Sequence, residues 1–452
     1  MALIVFLRLE LIVSMKNKIS STFCILPWTH SFVNSDGAYQ VCCTSEEYHD
    51  GIYDSDNKKL KIQNRPDLDN VMNSRLLKEL RLKMLNNEWS ELCTRCLDSE
   101  RLGGISRRMI ENNNYQGSIA ELAKNTLEDG TINFEFKSLD YRLGNHCNLQ
   151  CRMCGPFSSE KWLKEWNQVM PIEQNLSMEE INIFKSFDWI KEDYLVDEFR
   201  EKIDSVERIH FAGGEPLFSP QMTKLLKVCI KLGISKNISI SYNTNITRLP
   251  EEVLELWKDF KEVKLLCSID GYGPVNEYIR FPSKWSNIDT NLKFLDQHFK
   301  TYNISEIILS CTVQLYNVLT LHELYDYVST FKKIVPALNL INLKYPDYLS
   351  TQVMPKAAKK IAASRLLEVA KEARSKVASE YYYLVDNIEQ VIQFMDEKDK
   401  SQLLFKLRLV DARVSKNFNL TMRESLPELS LFISEYFLNH IENNAGKYES
   451  NK

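Results

Sequence analysis

Residues 143–158 read LGNHCNLQCRMCGPFS, and Cys147, Cys151 and Cys154 in it follow the spacing C-x3-C-x2-C. Thiolates at such intervals can converge from one loop on a single centre, as the ligands of iron–sulfur clusters do. A cubane of four irons held by three cysteines keeps one iron open to a substrate or cofactor. Zinc is the other reading of crowded cysteines, although structural zinc sites usually close with a fourth ligand at finger-like spacing. The run before the loop, residues 134–143, has a strand's apolar spacing at Phe136, Leu139, Tyr141 and Leu143.

From residue 131 to about 350 the chain alternates strand-like and helix-like segments, which argues for a parallel α/β architecture. Strands are expected at 138–143, 207–211, 238–242, 263–269, 306–313 and 338–345. Pro250, Glu251 and Glu252 open one helix, with Val253, Leu254, Trp257 and Phe260 on its apolar face. Another helix is expected over 221–232, burying Met222, Leu225, Leu226 and Cys229. Six such units suit a partial (β/α)6 TIM-like barrel, in which chemistry gathers at the carboxyl ends of the strands. The first end carries the three cysteines. The second carries Gly213, Gly214 and Glu215, paired glycines that expose bare backbone to a small molecule. The third carries Asn243 and Asn245, the fourth Ser268, and the fifth ends near Thr312 and Gln314. Cys267 and Cys311 lie inside strands and are expected in the core.

Ahead of this domain, residues 25–33 and 38–43 look like two strands around the turn Ser35-Asp36-Gly37. That hairpin brings Cys24 close to Cys42 or Cys43. A helix with Leu76, Leu77, Leu80, Met84 and Leu85 on one face leads to a C-x2-C pair, Cys93 and Cys96. Cys24, Cys42 or Cys43, Cys93 and Cys96 make a closed four-cysteine site for zinc or iron–sulfur. Glu100, Arg107 and Arg108 follow, and are expected to form a solvated connector. The polar stretch 111–130 is the expected boundary of the module. After Pro355 the sequence is helical to about residue 444, without a glycine between Gly273 and Gly446, and is expected to cover the open side of the barrel. The last ten residues are expected to be disordered.

These motifs resemble the radical SAM superfamily, in the cluster loop and the Gly-Gly-Glu turn. The spacing C-x12-G-x4-C from Cys24 to Cys42 is similar to the opening of the SPASM and twitch modules, here placed before the barrel. The resemblance implies a 4Fe–4S cluster on Cys147, Cys151 and Cys154, with S-adenosylmethionine on its open iron. It also implies an auxiliary 4Fe–4S cluster, or zinc, on the amino-terminal cysteines. Gly213 and Gly214, within the motif closed by Glu215, would meet the methionine amino group, and Ser268 the ribose or carboxylate. Asn243, Asn245 and Arg280 are further cofactor contacts, and Met153 would lie against adenine. Reductive cleavage would yield a 5′-deoxyadenosyl radical that abstracts a substrate hydrogen. The implied substrate is a peptide or protein; the alternatives are dehydrogenation of a sugar or alcohol, and a non-enzymatic zinc-binding scaffold. A flavodoxin or ferredoxin would donate the electron.

The expected domains are an extension (1–19), the auxiliary module (20–130), the barrel (131–350) and a helical carboxyl-terminal cap (351–452). In 452 residues, 44% hydrophobic and 26% charged, there is ample material for a core. A net charge of −4 gives no electrostatic case for nucleic acid as a partner. Eleven cysteines gathered in C-x2-C-like groups point to metal in a reducing compartment. The apolar opening, residues 1–14, is interrupted by Arg8 and Glu10, lacks a cleavage site and is too short to span a bilayer. A start at Met15 reads more naturally. A cytoplasmic chain with no membrane partner is expected.

Overall fold

The computed structural model describes residues 20–45, 51–101, 103–191, 194–199 and 203–449. The expected extension at 1–19 lies outside them. The strands are β1 (His30–Val33), β2 (Tyr39–Gln40), β3 (Ser138–Arg142), β4 (Arg208–Ala212), β5 (Ser239–Thr244), β6 (Glu262–Ser268), β7 (Ile304–Val313) and β8 (Leu338–Asn342). They form one sheet in the order β2-β1-β3-β4-β5-β6-β7-β8, with β2 antiparallel to β1 and every other pairing parallel. Six strands were expected from the repeat. The hairpin of the amino-terminal module adds two more, and β1 pairs His30–Val33 with Ser138–Tyr141 of β3.

The fold is an α/β partial barrel with two unlike sheet faces. Ile209 and Phe211 of β4, Ile240 and Tyr242 of β5, and Val263, Leu265 and Cys267 of β6 point outward and are fully buried under helices. The inner face carries Asp140, His210, Ser241, Lys264 and Glu306 across one row of the register. Side chains alternate along a strand, so a polar lumen beside an apolar shell gives the period-two pattern seen in β6.

Among the helices, α1 (Arg75–Leu85) and α2 (Thr94–Arg101) belong to the module, and α3 (Arg107–Asn114) joins it to the barrel. α4 (Pro220–Lys231) buries Met222, Leu225, Leu226 and Cys229, and α5 (Glu251–Trp257) buries Val253, Leu254 and Trp257. Cys311 is likewise fully buried. The carboxyl-terminal region supplies α6 (Lys356–Lys376), α7 (Tyr382–Glu397), α8 (Leu404–Phe418) and α9 (Pro427–Glu449). Helix α7 packs against the edge strand β8. Tyr381, just before it, donates to Glu306 Oε1 on the inner face of β7 (3.0 Å), and Gln390 lies against Gly104 of the module. The helix thus touches both the β8 edge of the sheet and the amino-terminal module.

Two expectations are corrected. Residues Leu26–Thr29, read as strand, form a short helix with Pro27 in its first turn, where a missing N–H costs nothing. The tail, expected to be disordered, continues α9 to Glu449. No helix among the described residues is long and apolar enough to cross a membrane.

Candidate functional site

The loop after β3 folds back over the end of β4. Glu215 N donates to His146 O (2.9 Å), and both glycines before it take positive φ, +74° at Gly213 and +46° at Gly214. A Cβ on Gly214 would stand 2.3 Å from His146 O, and one on Gly213 would stand 2.9 Å from backbone atoms of Arg142. The turn is therefore glycine because two backbones meet there, and because φ in this range strains other residues.

Around this contact lies a cavity of about 250 Å³. Cys147, Cys151 and Cys154 line it from the loop; Gly213, Gly214 and Glu215 line it from the end of β4. Asn243 and Asn245 at the end of β5, Ser268 at the end of β6, and Arg280 complete the expected residues, joined by Arg142 of β3. Met153 is not among the lining residues and packs instead beside Leu149 and the cysteines.

Hydrogen bonds fix the strand ends around it. The Glu215 carboxylate accepts from Thr244 Oγ1 (2.7 Å), Asn245 N (2.7 Å) and Leu217 N (3.2 Å). Burial nevertheless pushes this carboxyl up to about 7. Asn245 Nδ2 donates to Asn148 Oδ1 in the cysteine loop (2.8 Å), and Asn148 Nδ2 to Thr247 Oγ1 (2.8 Å). Arg280 Nε stands 2.7 Å from Asp270 Oδ2, and Asp270 Oδ1 accepts from Thr312 N (2.7 Å). Burial raises Asp270 while Asp270 raises Arg280; a guanidinium stays protonated in proteins, so a fixed positive charge faces the thiols. Burial, with Cys151 beside it, pushes the Cys147 thiol up to about 12. Cys151 and Cys154 share a hydrogen bond that lowers the first and raises the second.

The second cysteine set lies in the module. Cys24, Cys42, Cys93 and Cys96 line a cavity of about 20 Å³, walled by Leu26, Val41, Met84 and Leu92 and flanked by Arg107 and Arg108. Burial raises Cys24 well above a free thiol and pushes Cys93 up to about 12. The backbone of Leu26 hydrogen-bonds Cys24, and Thr44 Oγ1 lies 3.2 Å from Cys42 Sγ. Cys43 faces away and bonds Arg107. As the side chains stand, no group of three or more His, Cys, Asp and Glu among the described residues is arranged to hold a metal ion. In the barrel set Leu149 N donates to Cys147 Sγ (3.5 Å). Metal binding takes cysteines to thiolates, and both sets offer a thiophilic cluster all-sulfur donors, nearby arginine charge and, in the barrel, an uncluttered glycine wall.

Glu100, Arg107 and Arg108 are not a solvated connector. Arg107 donates two hydrogen bonds to Asp140 Oδ2 (both 3.2 Å) and sits 3.5 Å from Glu111 Oε1. Glu111 also pairs with Arg208 of β4 (2.8 Å), and Arg108 pairs with Glu100 (2.6 Å). The module is fastened to the barrel by buried charge. One signal for this was available: Asp140 sits between Leu139 and Tyr141 of a strand expected in the core, and a buried acid needs a partner.

Residues 141–310 match the radical SAM superfamily model, and residues 24–97 match the SPASM model, an iron–sulfur cluster-binding domain. The first match implies a 4Fe–4S cluster and S-adenosylmethionine, and the second implies auxiliary iron–sulfur. No curated protein matches. The structure of native anSMEcpe with bound AdoMet and Cp18Cys peptide is 18% identical over 54% of this chain and 62% of that one, with a TM-score of 0.35. That of Streptococcus suis SuiB bound to S-adenosylmethionine is 12% identical over 79% and 69%, with a TM-score of 0.30. The chain thus spans less than two thirds of the anSMEcpe structure's length.

Proposed function

We propose that this chain, which carries a radical SAM domain at residues 141–310 and a SPASM iron–sulfur domain at residues 24–97, is an enzyme that removes a hydrogen atom from a peptide or protein. The observation that carries this reading is the shared cavity. Three thiols at C-x3-C-x2-C spacing, a double-glycine turn and the polar ends of β5 and β6 line one space. When bound, the cluster and S-adenosylmethionine supply reductive cleavage of a sulfonium S–C bond and, through it, the power to abstract hydrogen.

The chain's own residues position and exclude. Cys147, Cys151 and Cys154 would hold the cluster by three sulfurs from one loop. The bare backbone at Gly213 and Gly214 accepts an ammonium group, while Ser268 and Asn243 offer hydrogen bonds to ribose and carboxylate; the Asn245 amide is engaged by Asn148 and Thr247 and holds the cysteine loop to the end of β5. Arg280 sets a positive charge beside the sulfurs and favours their thiolate form. Glu215 lines the space, but its oxygens are engaged by Thr244, Asn245 and Leu217, so it holds the strand ends in register. Cys24, Cys42, Cys93 and Cys96 would hold the auxiliary cluster with all four ligands from protein. A peptide is favoured over a sugar because exposed Tyr272, Ile341 and Tyr345 follow or end β6 and β8, offering apolar surface near the mouth of the barrel. The electron comes from an external donor of the flavodoxin or ferredoxin type.

The test is anaerobic reconstitution with iron and sulfide, then S-adenosylmethionine and dithionite. Formation of 5′-deoxyadenosine with methionine is expected, and its absence from a fully loaded protein rejects the reading. Peptides that raise this yield and lose hydrogen by mass support the substrate class. A yield raised only by sugars or alcohols rejects the peptide.

A further inference from the structure

The carboxyl-terminal helix α8 reaches the cysteine loop at three points, and none of them touches the cavity. Arg152 lies between two of the cysteines, and its side chain turns away from the cavity to a site where it is 2% exposed. There Nε donates to Tyr278 O (2.8 Å), Nη1 to Asp411 Oδ1 (3.0 Å) and Nη2 to Ser415 Oγ (3.1 Å). The guanidinium also lies 3.7 Å from the centre of the Tyr278 ring. Asp411 Oδ1 accepts from Tyr278 OH (2.6 Å) and Tyr316 OH (2.7 Å) as well. One oxygen of this carboxylate, 259 residues away in sequence, thus takes three donors around the loop.

The second point is Glu165 Oε2, which accepts from Gln150 Nε2 (3.0 Å) and from Asn417 Nδ2 of α8 (2.6 Å). The third is apolar. Phe418 stacks on Phe281 at 4.0 Å and lies 5.6 Å from Trp162, whose Nε1 donates to Cys151 O (3.2 Å). The loop backbone is held on the same side, through Gln150 N to Phe281 O (2.6 Å) and Arg152 N to Ile279 O (2.8 Å).

We propose that Asp411 is a positioning residue for the barrel cluster: through Arg152 it fixes where the Cys151 and Cys154 sulfurs stand, and with Phe418 and Trp162 it keeps water and oxygen from the loop. The helical region is thereby part of the redox site. A buried guanidinium tolerates burial only when paired, so loss of the Asp411 charge frees Arg152 to seek solvent and takes the intervening turn with it. Outer-shell partners of metal ligands typically govern affinity by about 10–100-fold.

The inference rests on the reading of Cys147, Cys151 and Cys154 as cluster ligands. Its test uses the full chain, reconstituted anaerobically with both clusters, and compares Asp411→Asn and Asp411→Glu with the parent. The readouts are the electron paramagnetic resonance spectrum of the reduced protein before and after S-adenosylmethionine, the rate at which air bleaches each cluster, and thermal midpoints. Asp411→Asn is expected to weaken the cofactor-dependent spectral change about tenfold in cofactor concentration, and to speed bleaching of the barrel cluster alone. Asp411→Glu should restore both within about twofold. A variant whose midpoint falls while spectrum, titration and bleaching match the parent would reduce the contact to packing and overturn the proposal. A parent protein with no cofactor-dependent change would instead overturn the functional reading beneath it.

Discussion

Replacing Gly214 by alanine separates two costs that most substitutions confound. At Gly233, φ is +72° and nothing lies within 4 Å of an added Cβ, so Gly233→Ala pays only for left-handed backbone, about 1 kcal/mol. Gly214 shares the positive φ, but its Cβ would meet His146 O at 2.3 Å, with His146 C and N inside 3 Å. Ordinary contact begins near 3.4 Å, so one backbone has to move by about 1 Å. No side chain can yield instead. Overpacking of this kind adds roughly 1–3 kcal/mol, giving a total of about 2–4 kcal/mol for Gly214→Ala. The displaced residue is the one before Cys147, and the same shift breaks the Glu215 N to His146 O bond. Denaturant unfolding of the two variants and calorimetric titration of the loaded proteins with S-adenosylmethionine provide the assay. Gly233→Ala should bind normally, and Gly214→Ala should lose at least about 1.4 kcal/mol of binding, or tenfold. Equal stability and equal affinity in the two variants would refute the argument that this turn brings two backbones into contact for the cofactor.

Two other perturbations follow from the module–barrel contact. Burial, with the Arg107 charge nearby, lowers His30 from 6.5 to about 4, so the unfolded chain takes up the proton first. The stability His30 contributes is complete above about pH 6.5 and drains by about 3 kcal/mol as pH falls through 4; His30→Asn should flatten that slope in urea titrations, and parallel curves would exclude it. Arg107→Met leaves Asp140 buried without its guanidinium and Glu111 with Arg208 alone, and should cost about 3 kcal/mol at neutral pH. Adding Asp140→Asn should recover part of this, and simple additivity in that double-mutant cycle would show the pair is not coupled.

Local information in the chain was enough for the barrel. Each expected barrel strand overlaps an observed one, because the strands turn an apolar face to the helices, and β5, β6 and β8 stop at the short polar side chains Thr244, Ser268 and Asn342. The same rule found most of the site. Cysteines, glycines, Asn243, Asn245 and Ser268 sit at successive strand ends, and a parallel barrel brings such ends together. What escaped depends on partners far away in sequence. β1 is four residues long, and its place beside β3 is set by tertiary packing and not by its own pattern. Met153, between two cysteines, looked like an adenine contact, yet the turn directs it out of the cavity lining. Arg107 reads as part of a solvated connector until Asp140 is seen beside it, and nothing local marks Arg152 as the partner of Asp411. The carboxylate of Glu215 belongs to an extended motif, but its work is spent on Thr244 and Asn245.

The central claim is that two separate cysteine sets serve two separate clusters, and that only the barrel set cleaves S-adenosylmethionine. Iron and sulfide counts with cleavage assays on the Cys147→Ala, Cys151→Ala, Cys154→Ala triple variant test it most directly. The account predicts about half the iron of the parent, an intact auxiliary signal and no 5′-deoxyadenosine. Full iron content, or continued cleavage of S-adenosylmethionine, would contradict it.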